Sequence, residues 1–282
     1  MNILKIFSQI EEQDPEIFGR LDSRRAAMRA FTSYGKKLAL TSLPFALGSM
    51  LNKAYGQTPG SGVIGVLNFA LTLEYLEFEF YDKALNSAGL IPAGAATGAI
   101  TTIRKHELAH VNFLKTTISA SGGTPVAKPT FDFSGGNGSG NGPFKDAFSN
   151  YELFLAVAQT LEDTGVRAYK GQAGALLMTG DVLEAALNIH SVEARHASHI
   201  RQMRKANNFG DVKPWITGKD PGLGAANSLV QANYEGEENT VQAGVNIVNI
   251  NGQNVSSTAA SESFDEPLTM AQVLAMVDPF IA

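Results

Sequence analysis

The sequence contains no cysteine. Disulfides, thiolate metal sites, iron–sulfur clusters and cysteine nucleophiles are thereby excluded, and any bound metal must be held by histidine and carboxylate. Basic charge is not in excess either. Lys and Arg number 22 against 27 Asp and Glu, a net charge of -5, so the electrostatic footprint of a nucleic-acid binder is missing and nucleic acid is not an expected partner. A long apolar run is also lacking: the longest spans 38–51 (LALTSLPFALGSML), short of the roughly 20 residues that a spanning helix needs. No transmembrane anchor is expected. What remains is a chain of 282 residues, 44% apolar and 9% aromatic, which is enough to bury a sizeable core.

The flanks of the apolar run are informative. Lys36 and Lys37 precede it, Arg24 and Arg25 lie further upstream, and small residues follow around Ala54 to Gly56. This is the layout of an export signal, the twin-arginine variety included. The polar extension ahead of the arginine pair and the poor fit of Ala54-Tyr55-Gly56 to a small-x-small cleavage site leave an amphipathic helix as the alternative. Residues 1–57 are accordingly read as an N-terminal export signal or amphipathic segment. The expected location is the periplasm or cell envelope, with the cytoplasm as the alternative.

Beyond this segment four stretches carry helical periodicity and few breakers: 62–87, 96–119, 144–172 and 181–207. Two short connections, 89–94 and 171–180, suit antiparallel neighbours. The middle connection, 121–143, holds GGNGSGNG and three prolines, a composition that predicts a flexible crossover on the surface. Short, long, short is the connection order of a four-helix bundle with one long crossover between its second and third helices. The chain is therefore expected to be mainly α, with the bundle at 58–210 and an irregular C-terminal extension, 211–282, packing on it. Within the extension, 245–255 (VNIVNINGQNV) alternates around Asn251-Gly252 and predicts a hairpin. A last short helix is expected at 267–277, stopped by Asp278-Pro279.

All five histidines fall in the second and fourth helical stretches. Two of them close an E-x-x-H tetrapeptide, Glu107 to His110 and Glu193 to His196. Positions three apart on a helix share a face, so each carboxylate and imidazole can reach one ion. The flanking spacing strengthens the reading. Glu74 lies 33 residues before Glu107 and Glu162 lies 31 before Glu193, and each earlier glutamate is followed seven residues on by a tyrosine, Tyr81 and Tyr169. Ile103 and Ile189 sit four residues before the two E-x-x-H glutamates, and Leu114 and Ile200 four after the histidines. That pattern would point the polar groups into the bundle core, where a carboxylate is normally neutralised, paired or metal-bound.

Glu74, Glu107, His110, Glu162, Glu193 and His196 thus form a ligand set of four carboxylates and two imidazoles, matching the dinuclear Fe or Mn site of helix bundles. Carboxylate with imidazole suits Fe or Mn better than Ca. Glu107 and Glu193 are placed to bridge the two ions, and Glu74 and Glu162 to be terminal. Tyr81 and Tyr169 are read as hydrogen-bond donors to these ligands or as plain core residues. Glu77, one turn from Glu74, is the alternative to it or else a solvent-facing residue. His199 is a spare histidine, His106 and His190 are expected to be solvated and off the ligand-bearing face, and Glu235, Glu237 and Glu238 read as a solvated acidic loop. Phe78, Phe80 and Phe113 read as packing.

The stretches LNFALTLEYLEFEFYDKAL (67–85), IRKHELAHVNFL (103–114), LEDTGVRAY (161–169) and SVEARHASHI (191–200) resemble the ferritin-like superfamily. Specifically, they look like the branch of bacterial ferritin-like domain proteins that also contains plant desiccation-related proteins. YEGEEN (234–239) and ESFDEPLTMAQVLAMVDPFI (262–281) look like the same branch. The resemblance covers about residues 60–282 and implies a metal-binding bundle acting on O2 or peroxide, of ferroxidase, peroxidase or catalase type. The alternative is a non-catalytic stress- or desiccation-protective or envelope structural protein that retains a metal site. A homo-oligomer is compatible with either, but the long tail would obstruct cage packing, which weighs against bulk iron storage.

Overall fold

The computed structural model describes residues 62–222 and 228–282; the export or amphipathic segment assigned to 1–57 lies outside them. Four long helices dominate: α1 (Val63–Leu85), α2 (Ala95–Ala120), α3 (Tyr151–Ala173) and α4 (Asp181–Ala206). The periodicity places each within a residue or two, except the start of α3. There the chain from Phe144 to Ser149 makes turns, and the helix begins only where the Asn150 side chain accepts the Leu153 amide at 3.1 Å, satisfying one of the first-turn donors. Among the described residues no helix is long and apolar enough to cross a membrane.

The helices divide by burial. α1 and α3 are buried almost all round through their middles, whereas α2 and α4 bury one stripe each. Those stripes are Ile100, Ile103, Glu107, His110, Leu114 and Ile118 on α2, and Ile189, Glu193, His196 and Ile200 on α4. Apolar residues at helical spacing thus carry the E-x-x-H pairs inward. Packing is most extensive between the sequence neighbours α1 with α2 and α3 with α4, as short connections dictate.

The crossover is partly buried and hydrogen-bonded, where its composition predicts a solvated linker. Asn68 of α1 holds its start, donating to the Thr124 carbonyl at 3.1 Å and accepting the Val126 amide at 2.7 Å. Asp132 accepts the amides of Ser134, Gly138 and Gly140 at 2.9–3.0 Å. Phe133, together with Phe148, packs against Phe80 of α1. The chain end ties the same segment down: Asp132 donates to the Phe280 carbonyl at 2.8 Å, Ala282 donates to the Thr130 carbonyl at 3.0 Å, and Phe144 stacks on Phe280.

The described residues form two compact units, and the C-terminal extension is split between them. Residues 62–215, Pro221–Asn233 and Glu266–Ala282 make the larger one. Here α5 (Ser228–Ala232) and α6 (Met270–Val277) accompany the bundle. Thr269 opens α6 with a reciprocal cap to Gln272. The lead-in to α6 lies against α3: Leu268 donates to the Arg167 carbonyl at 3.1 Å. Gly171 permits this approach, since a Cβ there would lie 1.9 Å from the Leu268 oxygen.

The smaller unit comprises Ile216–Asp220 and Tyr234–Asp265. Ile247, Ile250, Val255, Ala259 and Ala260 form its core. Its hairpin pairs β1 (Val241–Gln242) with β2 (Val245–Asn246), not the strands expected around Asn251-Gly252. The two positive-φ turn positions are Ala243 and Gly244, while Asn251 and Gly252 lie in a turn of 3-10 helix that buries Ile250. Lys219 pairs with Glu235 and Glu238 at the surface, whereas Glu237 is buried.

Candidate metal centre

Each helix delivers its share of polar groups to one point in the bundle. Glu74 comes from α1, Glu107 and His110 from α2, Glu162 from α3, Glu193 and His196 from α4. All four carboxylates are fully buried, and the two imidazoles are 8% and 5% exposed. Such a concentration of buried charge is tolerated only with compensating positive charge.

The arrangement is two-fold. The Nδ1 of His110 lies 3.1 Å from Glu74 Oε2, Glu107 Oε2 and Glu193 Oε1. In the other half, the Nδ1 of His196 lies 2.9 Å from Glu107 Oε1 and 3.3 Å from both Glu162 Oε2 and Glu193 Oε2. Glu107 and Glu193 therefore present one oxygen to each histidine, as bridging carboxylates do, whereas Glu74 and Glu162 serve one half each. Two four-residue groups have donor atoms within 4.8 Å of one another: Glu74, Glu107, His110 and Glu193, and Glu107, Glu162, Glu193 and His196.

Hydrogen bonding accounts for only part of these contacts: His110 Nδ1 bonds with Glu74 and Glu107. Glu107 Oε1, Glu162 Oε2, both oxygens of Glu193 and the Nδ1 of His196 have no hydrogen bond, although they are buried and within about 3 Å of one another's partners. One nitrogen facing three oxygens from three residues satisfies at most one of them by donation; a cation at their centre satisfies all. The donor set fits Fe or Mn.

The tyrosines cross the bundle. Seven residues is about 10.5 Å along a helix, too far for a tyrosine to reach its own helix's glutamate. Tyr81 of α1 instead donates to Glu162 Oε1 of α3 at 2.5 Å, and Tyr169 of α3 donates to Glu74 Oε1 of α1. Glu74 and Glu162 are thus each held through one oxygen by a tyrosine, with the other oxygen turned to a histidine.

Electrostatics follow from burial. Burial, reinforced by the charge of Glu193, pushes the Glu74 carboxyl up to about 8, while burial raises Glu162 well above the carboxylate range. Burial also opposes charge on Glu193, but the close approach of the His110 and His196 rings outweighs it and lowers this carboxyl to about 2. For both histidines burial favours the neutral ring, yet the surrounding carboxylates prevail and raise them. The carboxylates draw positive charge into the centre from whatever source is at hand.

Two residues at the centre lie outside the six expected ligands: Glu77, left open between replacing Glu74 and facing solvent, and His106, expected off the ligand-bearing face. Glu77 does not face solvent: it is 3% exposed, and burial, then the charges of Glu193, Glu162, Glu107 and Glu74, raise its carboxyl well above the ordinary range. His106 is solvent-exposed as expected, but it reaches the ligand-bearing face: its Nδ1 lies 2.9 Å from His196 Nε2 and the two rings stack. Their spacings were the available signal, since Glu77 is three residues from Glu74 and His106 four from His110. His199 stays on the surface, and His190 donates from Nδ1 to the Val166 carbonyl at 3.0 Å. Behind the centre, Arg201 pairs with both oxygens of Asp163.

Four long helices that bring buried carboxylates and imidazoles to one point define a ferritin-like bundle with a cluster able to hold metal ions. The family described as ferritin-like domain matches residues 62–206, just over half of the chain, and the protein belongs to it. No curated protein and no solved structure matches the chain.

Proposed function

We propose that this bundle holds two Fe or Mn ions and uses them in redox chemistry with O2 or peroxide. The observation that carries the proposal is the sharing of Glu107 and Glu193 between the two donor groups, which suits a pair of ions better than a single one. Glu74 with His110 would complete one side and Glu162 with His196 the other. Bound there, such ions supply electrons by moving between divalent and trivalent states.

The chain's own residues set the conditions for that chemistry. Tyr81 and Tyr169 orient the terminal carboxylates. A hydrogen bond between His196 Nε2 and His106 fixes the ring so that Nδ1 faces the carboxylates. An apolar pocket bounded by Leu73, Phe113, Tyr169, Leu176 and Ile189 abuts the tyrosine that holds Glu74 and suits the approach of a small apolar oxidant. Phe113, read from sequence as packing, is 43% exposed at this pocket.

The test is reconstitution of the purified protein with Fe(II) and with Mn(II), followed by elemental analysis, beside a Glu107→Ala/Glu193→Ala control. About two ions per chain, lost in the control, are expected, together with Fe(II) oxidation faster than in protein-free buffer. Two ions retained without accelerated oxidation would move the protein to the protective or structural reading. No bound metal would overturn the proposal.

A further inference from the structure

The geometry points to Glu77 as a seventh metal-binding side chain, a fifth carboxylate that acts on the ion pair. This rests on the metal-binding reading of the six residues above and extends it. Glu77 is one turn from Glu74 on α1, 3% exposed, and without a hydrogen bond or ion pair among the described residues. A carboxylate so buried beside other buried carboxylates is stabilised by a nearby cation. It lies on the Glu193 side of the cluster: Glu77 Oε1 is 3.1 Å and Glu193 Cγ 3.7 Å from the position a Cβ on Gly165 would take.

Gly165 is the second part of the argument. It lies in the middle of α3, three residues after Glu162, with no left-handed φ to require glycine, and a mid-helix glycine costs about 1 kcal/mol relative to alanine. The glycine leaves the space in which the Glu77 carboxylate lies against the cluster. A side chain at 165 would meet that carboxylate before anything else.

Charge counting gives the fifth carboxylate a role. Four carboxylates with two neutral imidazoles balance two divalent ions; adding Glu77 leaves one negative charge over and so favours the pair after it has lost electrons. Glu77 thereby holds the bound ions toward their trivalent state.

The test compares wild type, Glu77→Gln and Gly165→Ala, each reconstituted with Mn(II) and with Fe(II). Glutamine keeps the shape of Glu77 without its charge; Gly165→Ala leaves Glu77 in place but crowds its carboxylate. Readouts are metal content, the electron paramagnetic resonance spectrum of the Mn(II) form and the midpoint potential of the Fe form. Both variants are expected to keep about two ions per chain and to change the spectrum. Glu77→Gln should weaken the preference for trivalent over divalent iron at least tenfold, a rise of about 59 mV for a one-electron couple. Spectra and potentials indistinguishable from wild type in both variants would overturn the role of Glu77 while leaving the six-residue centre standing. A wild-type protein that takes up no metal would overturn both.

Discussion

Single residues at the centre behave as their surroundings dictate, and Glu74 shows it most directly. Burial, then the charge of Glu193, lifts its carboxyl to about 8, so near neutrality a proton competes with metal for this oxygen. A ligand must be deprotonated to bind. The affinity for Mn(II) is therefore expected to rise with pH up to about 8, and uptake near pH 7 to release protons. Calorimetric titration in buffers of different ionisation enthalpy measures the release directly; an affinity flat between pH 6 and 8 would remove Glu74 from the ligand set. That these six side chains come together was legible because helical spacing specifies which side chains share a face, and the E-x-x-H pairs came with apolar residues a turn away on either side. Depth was not legible. Glu77 and His106 share faces with Glu74 and His110, but whether such a residue ends in water or against a ligand depends on the neighbouring helix: Gly165 clears space for one, and His196 meets the other.

Elements depend on devices of different visibility. The four helices were legible from periodicity, and so was the final helix, whose Thr269 cap sits where its apolar pattern begins. The crossover was not, because glycine, serine and asparagine compose both a solvated linker and a tight loop whose amides are gathered by one side chain. Asp132 is that side chain. Burial is the largest single effect and opposes the charge, but hydrogen bonds from Ser134, Gly138 and Gly140 together outweigh it and hold the carboxyl below the usual range. Its replacement in Asp132→Ala leaves three amides without their acceptor, a loss of roughly 1–3 kcal/mol. Urea denaturation should show that loss, with proteolytic cleavage appearing first within 130–142. An unchanged midpoint would mean that the Phe133 contacts alone secure the segment. The hairpin was displaced for a related reason: Asn-Gly is a strong local turn signal, but placing Ile247 and Ile250 in the small core puts Asn251 and Gly252 beyond the strands.

At the scale of the whole molecule, the centre joins all four long helices through polar groups, so on the proposed reading stability and metal binding are one equilibrium. Without a cation, the five buried carboxyl groups, Glu77 included, are compensated by the two imidazoles and by the raised proton affinity of Glu74, Glu77 and Glu162, and helix packing must oppose what repulsion is left. A cation reaches this geometry only in the folded chain, because Glu74 and Glu193 are brought together from opposite ends of the bundle sequence. Ligands that bind only the native state stabilise it by about 2.7 kcal/mol at one hundred times their dissociation constant. For a chain of this size that corresponds to a rise of about 5–10 °C in Tm. The shift should appear in the far-ultraviolet helical signal, which comes mainly from α1 to α4, because the proposed ligands all lie on those helices. Glu107→Ala/Glu193→Ala should show no metal-dependent shift while its metal-free form melts no lower in proportion, since the substitutions also remove two mutually repelling charges. A variant still stabilised by Mn(II) would place the binding elsewhere, and a wild type whose melting ignores Mn(II) would show that the buried charge is held by packing and the two imidazoles alone.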